Sequence, residues 1–115
     1  NYMNCSGSTV TDKMEETAIR SVKHMVIQHF KDKNVRIYLF GSWARGEQKR
    51  SSDIDIAIES TEDFSYEISV LREKLEDSTI PRRVDIVDMN HAGQALCQRI
   101  RKEGIVWKEL RNDMN

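Results

Sequence analysis

Proline occurs once and glycine five times in the 115 residues. So sparse a supply leaves no Pro- or Gly-rich linker and no low-complexity stretch, and with no internal repeat the chain reads as one domain. Two cysteines, Cys5 and Cys97, are too few for a disulfide framework, and neither belongs to a CxxC pair. Both read as free thiols of a reducing compartment, the cytoplasm. Charge of either sign is not in surplus: 18 Lys and Arg face 19 Asp and Glu, a formal net charge of −1. Neutralising phosphates takes a basic excess, so strong nucleic-acid binding by this chain alone is not expected. The longest apolar runs, Val35 to Phe40 and Ile54 to Ile58, are interrupted by charge and fall far short of the ~20 residues of a membrane span. No stretch near the first residue combines the basic, apolar and small-residue regions of a secretory signal. Met3 reads as the native start, with Asn1 and Tyr2 added ahead of it.

What is present is a core-forming composition. Hydrophobic residues make up 38% of the chain and charged ones 32%, a globular balance rather than the low-hydropathy, high-net-charge pattern of disorder. Residues 1–9 are polar and aperiodic and are expected to form a mobile tail ahead of a single domain over 10–115. Thr11 or Asp12 can cap a first helix, with Glu15 reaching back. Met14, Ala18, Val22, Val26 and Phe30 then recur every four residues as one apolar stripe, and Asn34 ends the helix. Val35 to Phe40 reads as a strand broken at Gly41-Ser42, followed by a helical turn over Trp43 to Gly46 and a polar loop. Asp53 to Ile58 alternates strictly, a strand pattern. Phe64, Ile68, Leu71 and Leu75 have helical spacing, with a cap near Thr61 or Asp63. Pro81 opens a strand from Arg82 to Val87. Asn90 can cap a last helix through Ala92, Leu96 and Ile100, closed at Gly104, before a short apolar segment from Ile105 to Trp107. This order of helices and strands predicts an α+β fold in which helices cover a small mixed sheet.

Chemistry concentrates in the middle. Side chains on a strand alternate faces, so Asp53 and Asp55 project to one side and Ile54, Ile56 and Ile58 to the other. Two carboxylates roughly 6–7 Å apart along a strand suit a hard divalent cation such as Mg²⁺, although an isolated D-x-D also fits a solvated strand face. Gly41-Ser42 ends the preceding strand where the chain turns. In isolation that is an ordinary turn, yet a glycine there admits a ligand close to the backbone, and the serine amide and hydroxyl suit phosphate oxygens. It is not a Walker A loop, since no GxxxxGK[ST] occurs. One polar loop separates the phosphate-suited turn from the metal-suited strand.

Gly41-Ser42, ten residues, and then Asp53-Ile54-Asp55 match the G-S-x10-D-x-D motif of the polymerase-beta-like nucleotidyltransferase superfamily. The run GSWARGEQKRSSDIDIAI resembles that of its smallest bacterial members, the minimal nucleotidyltransferases. Those resemble the antitoxin half of modules whose toxin is a HEPN-domain protein. The similarity extends over residues 12–108. It implies the nucleotidyltransferase fold, ATP as substrate and two Mg²⁺ ions held by Asp53, Asp55 and a third carboxylate on a later strand. Asp85 and Asp88 compete for that third place. Asp85 lies inside the strand between Val84 and Ile86, where an unpartnered carboxylate is costly, whereas capping accounts for Asp88. Asp53, Asp55 and Asp85 are therefore the expected catalytic and metal-binding residues. Gly41, Ser42 and Arg45 are the expected nucleotide contacts, with Gly46 matching the family glycine. Arg45 equally suits a plain surface position. Trp43 departs from the family, where arginine is common, and an indole there would stack on a base or pack on the first helix. Lys49 and Arg50 suit phosphates, a partner or simple solvation. His24, His29 and His91 lack metal-ligand spacing and are assigned no chemistry.

A domain this small has no room for an acceptor site, so the resemblance implies that a partner supplies it: AMP passing from ATP to a hydroxyl, a tyrosine for instance, of a HEPN ribonuclease toxin. Two other readings stay open, an antitoxin that acts by contact alone and a transferase for small molecules. Self-association is also left open.

Overall fold

β-Branched and aromatic residues are densest in Val35–Phe40 (β1) and Ile54–Ser60 (β2), and these two segments form the antiparallel centre of the sheet, with Phe40 opposite Asp55 and Ile37 opposite Ile58. The computed structural model describes residues 10–46 and 53–110. The expected tail at 1–9 and the loop positions Lys49 and Arg50 lie outside them. Around the central pair stand α1 (Val10–His29), α2 (Ser42–Arg45), α3 (Ser65–Glu76), β3 (Val84–Asp88), α4 (Gln94–Glu103) and β4 (Ile105–Lys108). The strand order is β3-β2-β1-β4. β3 lies parallel to β2, reached through α3, and β4 lies antiparallel to β1. The sheet is thus mixed and helix-covered, as the element order predicts. Among the described residues no helix is long and apolar enough to cross a membrane.

Alternation sorts the strands into two faces. Val35, Ile37, Leu39, Ile54, Ile56, Ile58 and Ile86 pack against Val22, Val26 and Phe30 of α1 and Ile68, Leu71 and Leu75 of α3. Each large side chain fully buried there contributes about 1.5–3 kcal/mol. The opposite face carries Tyr38, Ala57 and Met89 beneath Cys97 and Ile100 of α4. One helix of ten residues does not cover that face as two helices cover the other. Asp53 and Asp55 share the parity of Ala57, and Asp85 that of Val87, so all three belong to the face that α4 covers in part.

Two helix starts differ from the sequence expectation. α1 begins at Val10, which puts Thr11 and Asp12 inside the helix, and it ends at His29 rather than Asn34. α4 is capped by Gly93, not Asn90. The Asn90 side chain instead donates to the Glu62 carbonyl at 2.9 Å, and its amide donates to Asp88 Oδ1 at 3.0 Å. A side chain committed to those turns cannot also satisfy a helix end. Phe64 takes the cap position of α3 without a side-chain cap hydrogen bond, and Asp63 beside it accepts the Ser65 amide at 3.0 Å.

Candidate active site

The site begins with a close approach that only glycine permits. Gly41 leaves β1 at φ 76°, ψ −151°, a region nearly closed to other residues. Its α-carbon faces the neighbouring strand so closely that an added Cβ would overlap Asp55 Oδ2. The Gly41 carbonyl accepts the amides of Ala44 at 3.1 Å and Arg45 at 3.2 Å, which winds α2 into a single turn with Ser42 at its head. Gly46, at φ 71° and ψ 21°, closes that turn in the left-handed conformation.

Parallel pairing of β2 and β3 then sets Asp85 beside Asp55, while Asp88 falls opposite Ile58. Asp55 therefore stands between the Gly41 turn on the β1 side and Asp85 on the β3 side. Its carboxyl is held above the ordinary aspartate range by burial first, then by the charges of Asp85 and Asp53, against a lesser pull from the Arg45 guanidinium. The expected residues from three segments thus act on one another through space. Asp85 is half exposed, with Arg83 Nε 3.5 Å from its Oδ1. Arg45 is half exposed too, its Nη1 3.8 Å from Glu103 Oε1 on α4. Oxygen donors of like charge, partly desolvated and drawn from adjacent strands, have the chemistry a hard divalent cation such as Mg²⁺ takes, although their ligand atoms are not gathered within 4.8 Å of one another.

Trp43 is half-buried against the core cluster that α1 and α3 share with the sheet. Its indole Nε1 is buried without a hydrogen-bond partner among the described residues. Asp88 anchors the turn after β3: besides the Asn90 amide, its Oδ2 lies 3.6 Å from His91 Nε2. Together with Asp63, these two residues bring ligand atoms within 4.8 Å of one another, at the end of β3 remote from Asp55. Sequence spacing gives no hint of that group, because Asp63 arrives from the start of α3. Glu59 is a further acidic residue that composition alone does not single out. It accepts the Tyr38 hydroxyl at 2.8 Å and Arg101 Nε at 2.8 Å, tying α4 to the sheet. Its place on the face of Asp53 and Asp55 is readable from the alternation 53, 55, 57, 59.

Residues 24–111 match the family model of Polymerase beta, Nucleotidyltransferase. The chain belongs to this nucleotidyltransferase family. Among curated proteins, this nucleotidyltransferase is 38% identical over 81 residues to the protein adenylyltransferase MntA of Shewanella oneidensis, an alignment covering 67% of this chain and 56% of that protein. The chain thus spans little more than half the length of that relative. A crystal structure of a toxin–antitoxin with AMP-PNP superposes with a TM-score of 0.62 at 33% identity, covering 79% of this chain and 76% of the other. A rebuilt structure of the tri-AMPylated Shewanella oneidensis HEPN toxin in complex with its MNT antitoxin gives 0.56 at 28% identity, covering 78% and 71%.

Proposed function

We propose that this nucleotidyltransferase transfers AMP from ATP to a hydroxyl of a partner protein in the cytoplasm, and that the partner is a HEPN-domain toxin which the modification inactivates. One observation carries the reading: Asp55 is flanked by the Gly41 turn on one side and by Asp85 on the other. That order matches the order of parts in an in-line displacement at phosphorus. The relative that bears the name protein adenylyltransferase, and the AMPylated HEPN toxin held with an MNT antitoxin, supply the acceptor class.

Asp53, Asp55 and Asp85 would hold Mg²⁺, as two ions in the fullest form of the proposal. Bound there, such ions offset charge on the α-phosphate and lower the pKa of the attacking hydroxyl. Gly41, lacking a Cβ, lets the chain come close to the β- and γ-phosphates, and Ser42 offers its amide and hydroxyl to them. Arg45 adds positive charge beside the departing pyrophosphate, exchanging Glu103 for a phosphate oxygen. Asp85 faces the incoming hydroxyl and helps draw off its proton as oxygen bonds to the α-phosphorus. The bond from that phosphorus to the bridging oxygen breaks, and pyrophosphate leaves on the Gly41 side.

The test looks for a HEPN-domain reading frame adjacent to the gene for this chain and pairs its product with the chain, with ATP labelled at the α-phosphate and Mg²⁺. Label should appear on the partner with the wild-type chain and vanish with Asp53→Ala, the fold unchanged by circular dichroism. An unlabelled partner, or equal labelling by Asp53→Ala, refutes the proposal.

A further inference from the structure

In-line transfer has a direction, and the fold supplies coordinates for it. If pyrophosphate leaves on the Gly41 side of Asp55, the acceptor arrives on the opposite side, over Asp85 and the outer edge of β3. A groove of about 620 Å³ opens there, bounded by Asp55, Asp85, Arg82, Arg83, Arg72 and Glu76. That volume falls within the roughly 300–1,000 Å³ of ordinary ligand sites.

Both its backbone and its charge are distinctive. Among the described residues β3 is an edge strand, paired with β2 alone. Ile54 N–H donates to Arg83 O at 2.9 Å and Met89 N–H to Ile58 O at 3.0 Å, so the odd-numbered residues of β3 turn their peptide groups toward β2. Val84 and Ile86 turn theirs outward, and apart from the Ile86 carbonyl, which a side chain already occupies, these groups face the groove as on an edge strand. Arg72 reaches across from α3 and donates from Nη2 to Ile86 O at 2.8 Å, which holds its guanidinium over the edge. Arg82 and Arg83 lead into the strand. With Asp55 and Asp85 assigned to the cation, three arginines line this groove against one carboxylate, Glu76. Arg83, whose Nε lies 3.5 Å from Asp85 Oδ1, would exchange that partner for a carboxylate of the acceptor.

We propose that the groove along β3 docks an extended, acidic segment of the protein acceptor, with Arg82 and Arg83 pairing with carboxylates that flank the reactive hydroxyl. This rests on the proposed nucleotidyl transfer and adds to it the chemistry by which the acceptor is chosen. Protein fits better than nucleic acid here because the basic bank is short and the chain as a whole carries a net charge of −1.

The experiment uses the full chain with Mg²⁺ and AMP-PNP. Two fluorescein-labelled peptides probe it by anisotropy, one with glutamates around a single tyrosine and one with lysines in their place. The acidic peptide should bind about tenfold or more tightly, and added salt should weaken it. Arg82→Glu with Arg83→Glu should abolish that preference while AMP-PNP still binds, whereas Lys31→Glu, in the exposed turn after α1, should preserve it. Equal affinity for the two peptides, a preference that survives the double reversal, or tighter binding of a single-stranded RNA oligomer than of the acidic peptide each overturns the proposal. A chain that labels its HEPN partner yet binds both peptides alike overturns the groove alone. One that labels no partner overturns the proposed function and the groove with it.

Discussion

Replacing Gly41 with alanine perturbs the site without touching a charge. The backbone at φ 76°, ψ −151° costs a non-glycine residue about 1–3 kcal/mol. The new Cβ would also overlap Asp55 Oδ2, so either the carboxylate swings away or β1 shifts from β2. Gly46 makes the control. It too has positive φ, at 71° with ψ 21°, but an added Cβ meets nothing within 4 Å among the described residues. Gly46→Ala should therefore cost only the left-handed strain, about 1–2 kcal/mol. For a domain of this size each kcal/mol lowers Tm by about 4 °C. Urea unfolding followed by circular dichroism measures the stability of both variants, and titration with AMP-PNP in Mg²⁺ measures the site. Gly41→Ala should lose the more stability, and its nucleotide affinity should fall about tenfold or more, since a displaced Asp55 forfeits a charged contact. Gly46→Ala should lose far less affinity. Two variants indistinguishable in both assays would refute the close approach of Gly41 to Asp55.

Asp85→Asn should reduce AMP transfer by about a hundredfold or more, whereas Asp88→Ala should retain transfer and lose about 1 kcal/mol in urea melts because the Asn90 amide loses its acceptor; comparable activity in the two variants would refute this division of roles. Burial raises the Glu59 pKa, but hydrogen bonds from Arg101 and Tyr38 and the charges of Arg101 and Arg36 outweigh it, leaving the folded value below 4.5. A depressed folded pKa gives stability that is complete above the unfolded value and is lost as pH falls through the folded one. The stability gap between wild type and Glu59→Gln should accordingly be full at neutral pH and close in acid, as urea melts across that range would show. Leu71→Ala, at a position with no solvent exposure between α3 and the sheet, should cost about 2–5 kcal/mol, read as a lowered urea midpoint with an unchanged slope.

The parts of this protein that declare themselves in the sequence are those whose physics is local. Ile54, Ile56 and Ile58 alternate with Asp53 and Asp55 because a strand alternates, and Gly41-Ser42 stands at a strand end because glycine alone tolerates that turn. The α1 stripe of Ala18, Val22, Val26 and Phe30 is buried as its spacing requires. What depends on distant pairing stays hidden. That Asp85 rather than Asp88 neighbours Asp55 follows from the register of β3 on β2, and parity narrows that choice without fixing it. Asn90 has the side chain of a helix cap, yet the Glu62 carbonyl, far off in sequence, claims it. The grip of Glu59 on Arg101 and Tyr38 joins three elements, so no single window of sequence contains it.

The crowding of carboxylates at one end of β2 bears on whether such a chain could persist as a mere binding partner. Asp55 is held partly out of water beside Asp85 and Asp53, and its proton affinity rises accordingly. A group whose folded pKa is raised favours the native state in acid and works against it once ionised, so at neutral pH and without a cation an ionised Asp55 works against the fold. Asparagine at Asp55 would relieve that burden at once. An aspartate at position 55 therefore carries a standing cost to the native state that a bound cation would offset.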